Sequence, residues 1–230
     1  MADAEFKDLV IDATHGPTLA TFWSAALGLR SRPAGDSSAV FALEDDVPRH
    51  MVWINQVPEP RTVKQRVHLD LHATVAELEA LGATADTARE NWVVMRDPEG
   101  GELCAFPDRA AEAGPYRLYA LVVDSVDAAA ASAWWGRRLG LEPQELEGRG
   151  WYRLGPGGSL PWQMLFIPVP EPKTVKNRIH WDVVGDTGAL LDAGATLVMP
   201  REDSPDPHVF WDVLADPEGN EFCVFAPDQV

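Results

Sequence analysis

Residues Val57 to Leu71 read VPEPRTVKQRVHLDL, and Val169 to Val183 read VPEPKTVKNRIHWDV, 112 positions further on. Each copy has a Pro-rich turn, a basic Lys-x-Arg segment and then a strand with His and Asp two residues apart. Side chains alternate between the faces of a strand, so His68 and Asp70 share one face, as do His180 and Asp182. This spacing predicts two related cups built on those strands.

The repeat extends outward in both directions. Asp12 matches Asp124, and Phe22 to Leu29 (FWSAALGL) matches Trp134 to Leu141 (WWGRRLGL). Arg96 to Phe106 (RDPEGGELCAF) matches Ala215 to Phe225 (ADPEGNEFCVF). The offset stays near 112 until about residue 72 and then grows to 119, which predicts a longer loop around Pro200 to Pro207 in copy two. In copy one, strands are expected over 8–13, 39–43 and 51–57. A helix over 17–27 is expected between them, capped near Thr14 or Gly16 and ended by Gly28. The pattern restarts with strand 67–73 and helix 74–81, closed by Gly82. A short strand near Thr84, strand 92–96, a turn at Asp97-Pro98-Glu99-Gly100 and strand 102–106 follow. The expected class is therefore α+β, with four strand-helix-strand-strand-strand modules forming two cup-shaped half-barrels. The expected domains are residues 1–108 and 116–230, joined by a linker over 109–115.

Of the 230 residues, 46% are hydrophobic and 24% charged, as in ordinary globular proteins. A formal net charge of −17 disfavours nucleic acid and anionic lipid as partners. The N-terminal residues lack the apolar core of a signal peptide, and no apolar run is long enough to span a bilayer. Cys104 and Cys223 occupy equivalent places and are expected as free thiols in a reducing cytoplasm rather than as a disulfide. Nine Trp against three Tyr point to an aromatic-lined pocket as well as a core.

His68 with Asp70, and His180 with Asp182, could act as acid/base pairs, since a carboxylate beside an imidazole raises its pKa and fixes its tautomer. The alternative is a hydrogen-bonded structural role for each His, with its Asp holding the basic stretch. Trp53 and Trp92 in copy one are candidates to face a cup. So are Trp151, Trp162, Phe166, Trp181 and Trp211 in copy two, together with His208, which has no counterpart in copy one. Trp23, Trp134 and Trp135 lie on helices and are expected in the core. Glu59, Arg61, Lys64 and Arg66 could grip an anion, against the plainer reading of loops and ion pairs between modules. Features shared by both copies, such as Arg66/Arg178, Asp97/Asp216 and Gly100/Gly219, are expected to hold the fold.

The tandem module order, the FW..aLGL segment and the H.D … LGA … W.V..DPEGNEFC pattern resemble the vicinal oxygen chelate superfamily. That group holds glyoxalase I, extradiol dioxygenases, bleomycin-resistance proteins and the glyoxalase-like domains common in actinobacteria, which this chain resembles most. The resemblance covers residues 5–108 and 116–228 and is specific for fold rather than activity. It implies a ligand inside each cup. In metal-using relatives it also implies ligands on two first strands and one last strand. By position these fall on Asp8, His68 and Cys104 in copy one, and on His180 and Cys223 in copy two. The usual final carboxylate is thus replaced by Cys, unless Glu102 or Glu221, two residues earlier, substitutes. The expectation is a protein that binds a small, partly aromatic or apolar molecule, as resistance proteins do, without a catalytic metal. The alternative is a lyase, isomerase or dioxygenase using a divalent ion (Zn, Ni, Mn or Fe), and a weaker third is a structural partner. A monomer is expected in preference to a homodimer.

Overall fold

The computed structural model describes residues 2–34, 39–146 and 148–229. The first module is β1 (Ala4–Ala13), α1 (Gly16–Leu27), β2 (Arg30–Pro33), β3 (Val40–Glu44) and β4 (Val52–Gln56). The second is β5 (Val67–Leu71), α2 (Val75–Ala80), β6 (Thr84–Ala88), β7 (Val93–Arg96) and β8 (Glu102–Ala105). The third is β9 (Leu118–Ser125), α3 (Ala128–Leu139), β10 (Gln144–Leu146), β11 (Trp151–Leu154) and β12 (Gln163–Pro168). The fourth is β13 (Ile179–Gly185), α4 (Thr187–Asp192), β14 (Thr196–Met199), β15 (Asp212–Ala215) and β16 (Glu221–Phe225). The four expected modules are all present. Sequence reading did not place β2, and it put the cap of α1 one residue to either side of His15, the observed N-cap. The extra length of copy two lies between β14 and β15, where a 3-10 turn covers Arg201–Asp203.

Two eight-stranded mixed sheets result, and each takes one module from each repeat. The first sheet runs β14-β15-β16-β13-β1-β4-β3-β2, the second β10-β11-β12-β9-β5-β8-β7-β6. The two halves of each sheet meet antiparallel, at β1/β13 and β5/β9. The VPEP stretches are therefore the crossovers that carry the chain from one sheet to the other. They clamp each other: Arg66 donates to the Glu171 carbonyl, and Arg178 Nη1 donates to the Glu59 carbonyl at 2.7 Å.

Both sheets press one face into a single core. On β5 it takes Val67, Leu69 and Leu71; on β13 it takes Ile179, Trp181 and Val183. The helices lie on this face, because Leu19, Phe22, Trp23 and Ala26 of α1, and Trp134, Trp135 and Leu139 of α3, fall at helical spacing. The DPEG turns tie modules together. Asp97 Oδ1 accepts from the Glu99 and Gly101 amides at 2.9 and 2.7 Å, which closes the turn. The Glu99 carboxylate then accepts from the Thr14 and His15 amides ahead of α1. Asp216 and Glu218 repeat both roles ahead of α3. Among the described residues no helix is long and apolar enough to cross a membrane.

Gly28 and Gly140 both end helices at positive φ, +76° and +68°. Their surroundings differ. A Cβ on Gly28 would lie 1.9 Å from the Pro115 carbonyl oxygen, whereas one on Gly140 would lie 3.2 Å from the Ala2 Cβ. Left-handed backbone alone costs an alanine ~1–2 kcal/mol. Gly28→Ala is therefore expected to lose about 3 kcal/mol or more in urea unfolding, and Gly140→Ala only about 1–2. Equal losses would show that the linker does not press on α1.

Candidate functional site

The faces turned away from the core are the cups. On β5 and β13 they carry His68 with Asp70 and His180 with Asp182, because the intervening residues are the core ones. The last strands add Cys104 and Cys223, in register with Asp70 and Asp182. Two equivalent triplets form: His68, Asp70 and Cys104, and His180, Asp182 and Cys223, the donor atoms of each within 4.8 Å of one another.

His68 Nε2 stands 3.5 Å from Asp70 Oδ1, an ion-pair distance, and that oxygen accepts no hydrogen bond. Burial opposes a charged His68, but Asp70 beside it, with Asp124 and Glu102, raises its pKa overall. Asp182 is pushed up to about 6 by burial, with Asp8 adding to the effect against His180 and Lys7. Burial also drives both thiols up, and the neighbouring Asp70 and Asp182 reinforce this, so Cys104 and Cys223 are thiols rather than nucleophilic thiolates. Both cysteines are free, as expected. Asp12 is shifted down: burial would raise it, but His180 and Lys176 prevail.

The structure regroups the expected metal ligands. Asp8 faces Asp182 across β1/β13 and so belongs with His180, while His68 lies in the other sheet. The counterpart of Asp8 beside His68 is Ala120, opposite Asp70. Glu102 and Glu221 do not replace the cysteines. Glu102 accepts from the Gln65 amide at 3.1 Å, and Glu221 accepts from Lys173 and the Asn177 amide at 2.6 and 3.1 Å. The triplets themselves fit a borderline-soft divalent ion such as zinc. They offer nitrogen, oxygen and sulfur donors, and Asp70 Oδ1, Asp182 Oδ1 and His180 Nδ1 are shielded yet unbonded.

The cup on the β5/β9 sheet encloses a cavity of about 1060 Å³. Its apolar lining is Val94, Leu146, Leu165 and Ile167, with Ala120 and Val122 packed beneath Leu165. Its aromatic wall is Trp92, Phe106, Tyr119 and Trp151, with Trp92 edge-on to Trp151 at 6.3 Å between ring centres. In the other cup, Trp53 donates to Asp8 at 3.1 Å, and Trp211 stacks on Phe225 at 5.0 Å with Lys7 over the same ring.

Trp53, Trp92, Trp151 and Trp211 thus face cups, in different sheets. Trp162, Phe166 and Trp181 do not. Trp181 alternates with His180 and packs on Trp135, Phe166 alternates with the cup-facing Leu165, and Trp162 sits edge-on to Phe6 at 4.9 Å. His208 is on the exposed loop before β15. There is accordingly no cup made of copy-two residues alone. Tyr119 and Lys7 escaped strand parity because each sits at a bulge, where one extra residue reverses facing. Phe106 was legible as the residue two past Cys104. Lys64 and Lys176 pair with Asp124 and Asp12, the structural role expected of the basic segment.

Solved structures share this architecture. A putative dioxygenase from Bacillus subtilis is 14% identical with a TM-score of 0.64, over 98% of this chain and 86% of that one. Glyoxalase I from Zea mays is 12% identical with a TM-score of 0.65, over 96% and 92%. At such identities the likeness speaks for the fold alone. No curated protein sequence matches the chain significantly. The glyoxalase-like domain matches twice, at residues 8–106 and 120–225, between them most of the sequence, and the chain belongs to the glyoxalase-like domain family of the vicinal oxygen chelate superfamily.

Proposed function

We propose that the protein binds a small, partly aromatic or apolar organic molecule in the cup on the β5/β9 sheet, without a catalytic metal. The observation that carries this reading is the aromatic wall together with the apolar Leu146, Leu165 and Ile167 in a cavity of about 1060 Å³. At the third ligand position Cys104 and Cys223 stand where metal-using relatives carry a carboxylate, which supports the metal-free part. Each cup is completed within one chain, which favours a monomer, and the two free thiols accord with the cytoplasm. In titrations of Trp emission with a hydrophobic aromatic probe, Trp151→Ala is expected to weaken binding roughly tenfold. Unchanged affinity would place the probe elsewhere.

The unbonded Asp70 and Asp182 oxygens favour a second reading, a metal-dependent lyase, isomerase or dioxygenase. A divalent ion there would polarise substrate oxygens. Elemental analysis of protein purified without chelators separates the two. The first reading expects less than about 0.1 equivalent of any transition metal, since a built site at nanomolar affinity would stay filled. Stoichiometric metal lost in both His68→Ala and Cys104→Ser would establish the second.

A further inference from the structure

The two cups are related by the repeat but differ in charge at three equivalent positions. Beside β13 the wall carries Asp8 paired with Lys7; beside β5 the same places are Ala120 and Tyr119. On the outer strands, Ala42 faces Trp53, whereas its counterpart Arg153 faces Leu165 on the cavity wall. Relative to its sister, the β5/β9 cup has lost an ion pair, with no net change in charge, and gained a guanidinium.

The rest of the wall follows suit. Of the six carboxylates there, Asp124 is engaged by Lys64, Glu102 by the Gln65 amide, Asp86 by Arg96 and Glu112 by Arg109, Asp70 stands beside His68, and the exposed Asp108 has no ion pair among the described residues. Three guanidiniums are not so engaged. Among the described residues Arg89, Arg149 and Arg153 form no ion pair. Arg149 lies over the Trp151 ring at 5.1 Å, and Arg153 donates only to Gln144, its Nε shielded and unbonded. In a chain of net charge −17, free guanidiniums beside an aromatic wall mark a place for a negative group.

We propose that the cup selects aromatic anions, with the ring on the Trp92/Trp151 wall and a carboxylate or sulfonate at Arg149 and Arg153. This rests on the reading of the cup as a binding site and adds the ligand's charge. A matched pair of dyes tests it: 8-anilinonaphthalene-1-sulfonate, and N-phenyl-1-naphthylamine, which has the same rings and no charge. The wild type is expected to bind the sulfonate at least about tenfold more tightly. Arg149→Gln, at an exposed position that leaves the fold intact, and Arg153→Gln are each expected to reduce that preference while changing neutral-dye affinity less than about twofold. Trp151→Ala is expected to weaken both dyes. Equal affinities in the wild type, or a preference untouched by both arginine variants, would overturn the charge assignment and leave the cup standing. Binding of neither dye, or binding indifferent to Trp151→Ala, would remove the cup itself and the charge assignment with it.

Discussion

Trp135→Ala is expected to cost about 4–5 kcal/mol of unfolding free energy, the upper end for a buried aromatic. Trp135 is fully buried, on α3 of the third module, yet apart from Trp134 the rings and the acceptor it meets belong to the fourth module. It meets Trp181 of β13 and Phe222 of β16 edge-on, both at 5.0 Å between ring centres. Its indole nitrogen donates to Asp216 Oδ2 at 3.0 Å, inside the turn whose Glu218 caps α3. Truncation therefore opens a cavity between the sheets and takes a donor from a buried carboxylate. Two further variants separate these causes. Trp135→Phe keeps most of the volume and is expected to cost about 1–3 kcal/mol, chiefly the lost bond to a charged acceptor. Trp23, its counterpart on α1, is equally buried but its indole nitrogen has no partner among the described residues. Trp23→Phe should therefore cost less than Trp135→Phe in urea melts, and the reverse order would show that the Asp216 bond contributes nothing.

The modules and the cup-facing His and Asp residues were legible because a strand's period of two is local. Val67, Leu69 and Leu71 announce where His68 and Asp70 do not point. Partner choice was not legible, for a physical reason. The four modules are near-equivalents, so pairing the first with the second or with the fourth satisfies the same apolar pattern. Contacts between the repeats, such as Arg66 to Glu171, Arg178 to Glu59 and Lys176 to Asp12, distinguish the two outcomes. That degeneracy is why Asp8 looked like a companion of His68. It also explains why Trp151 and Trp211 looked like one wall. The guanidiniums at 89, 149 and 153 were missed because two of them are outside strands, where no parity applies, and the third faces its cavity from a strand whose ends the sequence left unmarked.

Asp182→Asn is expected to stabilise metal-free protein at pH 8 by about 2–3 kcal/mol. The folded-state pKa of Asp182 is raised from 3.8 to about 6. Each unit corresponds to about 1.4 kcal/mol. The folded state thus holds a proton that the unfolded state releases earlier. Its contribution is fully present below pH about 4 and is lost as pH rises through about 6. An asparagine keeps the shape and cannot ionise, so the stability difference, variant minus wild type, should grow between pH 4 and pH 7 and then level off. Chelator-treated samples in urea melts at several pH values give this difference directly. A difference that stays flat with pH would show that Asp182 ionises without penalty in the folded protein. Both cups keep this carboxylate, as Asp70 and Asp182, each buried with an unbonded oxygen. A buried carboxylate that weakens the fold at neutral pH is difficult to explain as scaffolding. Adding zinc to wild type and variant then decides what the carboxylate serves: an ion held by His180, Asp182 and Cys223 would reverse the order of stabilities, while an organic guest alone would leave the asparagine variant ahead.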